Sequence, residues 1–194
     1  MASTSDPVHL LVRANDEFAR RLRIVGPTDW QLPTPCTEWD VRALVNHVVG
    51  GNVRYRLLLR GAPTAEVETT RAVDHLGTDA LSAFSTTADA VVACFREPGA
   101  LDRIGHHASG DRTGRELFPP PPPPPPPHAW DLARAIGADE TLPDDIVDFL
   151  LVLTATLNVG SQQRAFAAAK SELAPTATPQ DQVLHRLGRT RTDT

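Results

Sequence analysis

Cysteine is scarce in this 194-residue chain: Cys36 and Cys94 are its two thiols. Two cysteines so far apart do not make a disulfide framework, and reduced thiols are expected. Lysine is scarcer still, since of 19 Lys and Arg residues Lys170 alone is a lysine. That bias, with abundant Ala, Val and Pro, is what GC-rich codons give and carries no functional weight. The net charge of −5 excludes a nucleic-acid binder that works by phosphate neutralisation. Long apolar runs are also missing. The densest, Phe149 to Leu153, is broken by Thr154, so no membrane partner is expected. The segment Met1 to Pro7 has neither the basic nor the apolar region of a signal peptide. The expectation is a cytoplasmic protein. Sustained apolar–polar alternation is absent too, so strands are not indicated, and there is no internal repeat.

What is present is helical periodicity. Leu11, Ala14, Phe18, Leu22 and Val25 form one stripe, which predicts a helix over 7–25 ended by Gly26-Pro27. Thr37 followed by Asp40 reads as a capping box with Asp in the acid position, opening a helix over 38–59. Within it Val41, Leu44, Val45 and Val48 fall on one face. Gly50-Gly51 in its middle costs about 1 kcal/mol per Gly relative to Ala, so close packing or a bend is expected there. Thr78 can cap a third helix with Leu81, Phe84, Ala88, Val91, Val92 and Phe95 inward. His128 to Ile136 reads as a helix capped by Gly137. Pro143 opens another, with Ile146, Phe149, Leu150, Leu153 and Leu157 inward; 180–187 reads as a short last helix. Several amphipathic helices without strands make a helical bundle, and the long connections imply a crossover.

Pro119 to Pro127 is a run of nine prolines. With no backbone donors it is expected as polyproline II, about 28 Å long at about 3.1 Å per residue. It reads as a linker ending near the first turn of the helix at His128. It also reads as an expansion, or a misread GC-rich segment, that hides an ordinary helix. A ligand for a proline-binding domain is disfavoured, because no basic anchor flanks the run.

The most informative stretch is Pro33-Thr34-Pro35-Cys36-Thr37-Glu38-Trp39-Asp40-Val41-Arg42-Ala43-Leu44-Val45-Asn46-His47. It sets a histidine at the edge of an apolar helical face, where the ring needs a partner. With Trp30, Gly50-Gly51-Asn52, the block His128-Ala129-Trp130-Asp131-Leu132-Ala133-Arg134-Ala135-Ile136-Gly137 and the closing Leu187-Gly188-Arg189, the chain resembles the metal-binding domain family of mycothiol-dependent maleylpyruvate isomerase, within the DinB-like superfamily. The resemblance covers nearly the whole chain. It implies a single all-α domain over 1–194, a DinB-like four-helix bundle with a crossover, interrupted at 119–127 and extended over 160–194.

The resemblance further implies a divalent metal, zinc first and nickel second, held by three side chains. His47 and His128 match two of them; the third falls on Pro124, which cannot bind metal. Asp131, Glu116 and His106-His107 are poor substitutes for it, and an acid at position 131 more often holds an arginine or the other nitrogen of a ligand histidine. Three protein ligands leave a position open, and a coordinated thiol is deprotonated there. Mycothiol as thiol cosubstrate, with a small electrophile as its partner, is therefore the implied chemistry of a transferase or isomerase. The alternative is a non-catalytic bundle protein of the same fold without a complete metal site. Cys36 reads as a thiol activated at a helix N-terminus or as a packing residue beside Trp39. Trp30, Trp39 and Trp130 read as core anchors, His9, His75 and His185 as surface. Arg42, Arg54 and Arg56 read as a solvated helix face or as a greeting for an anionic substrate.

Overall fold

The computed structural model describes residues 7–117, 125–156 and 173–189. It groups the chain into two compact units, Met1–Asp139 and Glu140–Thr194, which are taken one at a time.

In the first unit, α1 (Pro7–Leu22) buries Leu11, Ala14, Phe18, Ala19 and Leu22, ending one turn before the predicted Val25. The next helix, α2 (Val41–Leu59), starts three residues later than predicted. Its N-cap is Asp40, whose carboxylate accepts from the Ala43 N–H at 2.8 Å, so the expected Thr37 box does not form. The short α3 (Thr64–Thr69) and the 3-10 turn Thr70–Ala72 carry too little periodicity to have been foreseen. The cap of α4 (Ala80–Arg96) is Asp79, not Thr78, accepting from the Ser82 N–H at 2.9 Å. Its stripe of Phe84, Ala88, Val91, Val92 and Phe95 is buried as predicted, with Phe84 against Phe18 at a ring separation of 4.8 Å.

Strands do occur, against expectation. A hairpin joins β1 (Ile104–His107) to β2 (Gly110–Thr113), antiparallel, with Ile104 opposite Thr113 and His107 opposite Gly110. Four residues per strand are too few to show alternation. Contacts with α2 hold the hairpin instead: Arg103 donates to the Leu59 carbonyl at 2.9 Å, and a Cβ on Gly105 would meet the Leu58 carbonyl oxygen at 2.7 Å.

The helix carrying His128 is α5 (Pro125–Ala135), followed by Gly137 at φ +67°. Polyproline II is thus corrected at positions 125–127, where the backbone is already helical. Prolines fit there because the first N–H groups of a helix have no intrahelical acceptor to lose. The rest of the run, Pro124 included, lies outside the described residues. Helices α1 and α2 each pack on both α4 and α5. Trp130 and Leu132 of α5 are fully buried, each worth about 2 kcal/mol or more of apolar transfer.

In the second unit, α6 (Asp144–Thr156) packs on α7 (Pro179–Arg186). Thr178 and Asp181 form a reciprocal capping box at the start of α7. Ile146, Val147, Leu150, Val183, Leu184 and Leu187 are buried. Phe149 and Leu153 are only half-buried, and Leu157 lies outside the described residues. Among the described residues no helix is long and apolar enough to cross a membrane.

Candidate metal centre

The turn before α2 is clamped by one hydroxyl. Thr34 Oγ1 accepts from the Cys36 N–H at 3.1 Å and lies 2.8 Å from the Trp39 carbonyl, to which it donates. The Trp39 N–H returns to the Cys36 carbonyl at 2.7 Å, and the Thr34 N–H to the Trp39 carbonyl at 3.2 Å. Consecutive local bonds of this kind are what Thr supplies in turns. They fix Cys36 and Trp39 beside the first turns of α2.

His47 follows two turns into α2, half-buried, with its ring 4.4 Å from that of Trp39. His128 comes from α5 and is 2 % exposed. The two imidazoles meet edge to face, 5.3 Å apart at 81°, and Trp39 lies 6.0 Å from His128 as well. The structure therefore brings His47 and His128 together from different helices.

Asp131, one turn further along α5 and fully buried, anchors His128: its Oδ2 is 2.9 Å from Nδ1. A carboxylate there assigns the proton to Nδ1, which donates. Nε2 of His128 is then left buried with no hydrogen-bond partner among the described residues. The Cys36 thiol donates to the same Asp131 Oδ2 at 3.4 Å. Donor atoms of Cys36, His128 and Asp131 all lie within 4.8 Å of one another, a candidate metal-ligand group.

The surroundings disfavour a charged imidazole at position 47. Burial, then His128, Arg54 and Arg71, push His47 down to about 3, so it is neutral, the form that ligates metals. Arg54 is itself held below its ordinary value by burial and by Arg71. It shares a face of α2 with His47, seven residues on, and is half-buried rather than solvated. Arg42 is exposed and paired with Asp74 at 2.6 Å. His75 is not at the surface either: its Nε2 is 2.8 Å from the Thr70 carbonyl, and its ring covers Gly50.

The other substitutes for a third ligand bond elsewhere. Glu116 accepts from the Thr113 N–H and hydroxyl, at 2.8 Å and 3.0 Å. His106 pairs with Asp111 at 2.9 Å and His107 with Ser109 at 2.8 Å, within the hairpin. Sequence reasoning missed the meeting of Cys36 with Asp131 and the influence of Arg71. The Thr34–Cys36 spacing was a usable signal for the first, because a Thr two residues ahead can hold a turn. Arg71 sits in a 3-10 turn and offered none.

Known proteins place the chain in a family. Residues 11–193 match the family model described as the mycothiol maleylpyruvate isomerase N-terminal domain. An uncharacterized protein of Mycobacterium tuberculosis, from strains CDC 1551 / Oshkosh and ATCC 25618 / H37Rv alike, is 30% identical over 188 residues, spanning 95% of this chain and 98% of the relative. The fold is similar to the crystal structure of mycothiol-dependent maleylpyruvate isomerase, with a TM-score of 0.54 and 16% identity over 76% of this chain and 68% of that one. A histidine-to-alanine mutant of that enzyme gives 0.55 and 15% over the same shares. The chain belongs to the mycothiol maleylpyruvate isomerase N-terminal domain family.

Proposed function

We propose that this protein binds a divalent metal ion, zinc before nickel, through His47 and His128, and uses it in a thiol-dependent transferase or isomerase reaction. The carrying observation is the buried Nε2 of His128, without a hydrogen-bond partner among the described residues, on a ring that His47 meets at 5.3 Å. A buried imidazole nitrogen without a partner costs about 1–3 kcal/mol unless something completes it. The donor set fits a zinc-type cation, which takes neutral imidazoles and thiolates readily.

Each side chain has a role in this reading. Asp131 holds the His128 ring in the tautomer that presents Nε2 and raises its basicity. Trp39 lies against both imidazoles and limits water around them. Arg54 and Arg71 supply positive potential beside His47, suited to an anionic reactant. A bound cation would supply one thing the chain lacks, a lowered pKa for a coordinated thiol. Mycothiol, the thiol named for the similar enzyme, is the proposed cosubstrate, with a small electrophile as acceptor. The fold reading that accompanies this is a DinB-like four-helix core of α1, α2, α4 and α5.

The test is metal analysis of untagged protein purified from zinc-supplemented medium. One equivalent of zinc or nickel, lost in His47→Ala while circular dichroism stays helical, supports the proposal. No stoichiometric metal in the wild-type protein overturns it and leaves the non-catalytic bundle protein.

A further inference from the structure

We infer that Arg54 forms an oxyanion subsite beside the candidate metal centre and takes a carboxylate of the electrophilic reactant on its guanidinium fork. The identity of the occupant as that reactant rests on the thiol-dependent reading above; the subsite itself stands on the geometry of α2.

Three arginines lie on this helix, and the structure separates them. Arg42 is exposed and paired with Asp74 at 2.6 Å, and Arg56 is exposed. Arg54 is half-buried, yet its guanidinium has neither a hydrogen bond nor an ion pair among the described residues. A cation withdrawn from water is ordinarily paired. Glu68, the carboxylate whose charge reaches Arg54, is bonded to Arg71 instead, at 2.5 Å. Two guanidiniums therefore share one carboxylate. Burial first, then Arg71, hold Arg54 below the ordinary arginine value.

The placement of the fork shows where an anion would sit. Side chains on a helix lean towards its N-terminus, so Arg54 reaches back towards His47. Cβ atoms built on Gly50 and Gly51 would lie 3.1 Å and 3.8 Å from its two terminal nitrogens, one each. The paired glycines thus leave bare the stretch of helix over which the fork lies, three residues from His47. The His75 ring closes one side, with Cδ2 2.8 Å from the Gly50 Cβ position and Nε2 2.8 Å from the Thr70 carbonyl. After burial and His128, Arg54 is the next influence holding the His47 pKa down, so its charge is felt at that ring.

The donor set selects the anion. The site lies inside α2, where backbone N–H groups are committed to the helix and cannot form the cradle that phosphate takes at a helix N-terminus. What remains is one planar fork with one positive charge, the match for a planar carboxylate held bidentately. Arg54 is a binding and specificity residue, and no bond is made or broken at it.

The test uses the full-length, untagged protein as purified and, in parallel, after chelator treatment. Acetate, inorganic phosphate and chloride are titrated at constant ionic strength while the arginine Nε–H signals are followed by NMR. The Arg54 signal is the one absent from Arg54→Met. Acetate should move it along a saturating curve, at least about 10-fold more tightly than chloride or phosphate. Arg54→Met keeps the apolar stem without the charge, so in chloride it should melt at or above the wild-type protein. Acetate should then raise the Tm of the wild-type protein only. An Arg54 signal that acetate leaves unmoved overturns the inference, as does equal or tighter binding of phosphate or chloride. An Arg54→Met protein that melts below wild type in chloride, or does not fold, marks the arginine as structural and also overturns it. An acetate effect confined to metal-containing protein assigns the anion to the metal and overturns it too. Saturable binding at Arg54 in a protein that holds no metal upholds the subsite while the metal reading falls.

Discussion

Two adjacent glycines in α2 should answer the same substitution with opposite signs. A Cβ built on Gly50 lies 2.8 Å from His75 Cδ2, and 3.1 Å from both His75 Nε2 and an Arg54 guanidinium nitrogen. The Arg54 tip can swing away, but the His75 ring cannot do so freely. Its Nε2 is held 2.8 Å from the Thr70 carbonyl, and the His75 backbone N–H donates to Asn46 Oδ1 at 2.7 Å. Gly50→Ala therefore gains about 1 kcal/mol of helix propensity but forces a fixed ring to move. Overpacking of that kind costs about 1–3 kcal/mol, and loss of the His75–Thr70 bond adds about 1 kcal/mol. The net is a destabilisation of roughly 1–3 kcal/mol. At Gly51 the sole such neighbour within 4 Å among the described residues is an Arg54 nitrogen at 3.8 Å, an ordinary contact. Gly51→Ala should keep most of the propensity gain, a stabilisation of about 0.5–1 kcal/mol. Since 1 kcal/mol moves Tm by about 2–4 °C in a chain of this size, the two variants should melt roughly 3–16 °C apart. Thermal unfolding by circular dichroism, or urea midpoints, measures the gap. If Gly50→Ala melts at or above Gly51→Ala, the account of His75 as a fixed cover on α2 is wrong.

Two further outcomes test the electrostatics. Asp131→Asn keeps the shape of the buried side chain but weakens the hold on His128 Nδ1, so zinc affinity should fall by about 10–100-fold, as read by competition with a chromophoric chelator; unchanged affinity would remove Asp131 from the site. Burial, with Arg112 and Arg71, holds His107 below its ordinary value of 6.5 against the pull of Glu68, so the folded protein refuses a proton that the unfolded chain accepts. Its contribution to stability is therefore intact above pH 6.5 and is lost as pH falls from there towards the lowered folded value. An NMR titration of the His107 ring should show a midpoint below 6.5 that rises in Arg112→Gln, and a midpoint at or above 6.5 in the wild-type protein would contradict the burial argument.

The buried stripes of α1, α2 and α4 were legible because a repeat of 3.6 residues survives in any sequence that must cover an apolar core. The starts of α2 and α4 were misplaced for one shared reason. In each, a Thr precedes an Asp, and the acid nearer the helix takes the cap: Asp40 over Thr37, Asp79 over Thr78. Both are good caps in isolation. At α2 the choice is made by the chain before it, because Thr34 folds residues 34–39 into a turn that leaves no helical backbone at Glu38. The hairpin was hidden for a different reason. Its strands bury almost nothing along their own length and depend on the end of α2, a dependence that no local pattern records.

The same contrast explains how much of the candidate centre was readable. His47 was readable as a polar group at the edge of an apolar face and His128 through the family resemblance, and their meeting follows once α2 and α5 pack. Cys36 was not, because its place depends on a turn rather than on periodicity. Had Thr37 capped α2, Cys36 would have been the residue just ahead of the helix and Trp39 a residue of its first turn. Moving the cap to Asp40 instead leaves room for the turn that brings the thiol to 3.4 Å from Asp131. The three-residue delay in helix formation is thus the structural event that separates a packing cysteine from one whose thiol meets the carboxylate anchoring His128. Thr34 is the residue on which that delay depends, through a hydroxyl bonded to the backbone of both Cys36 and Trp39.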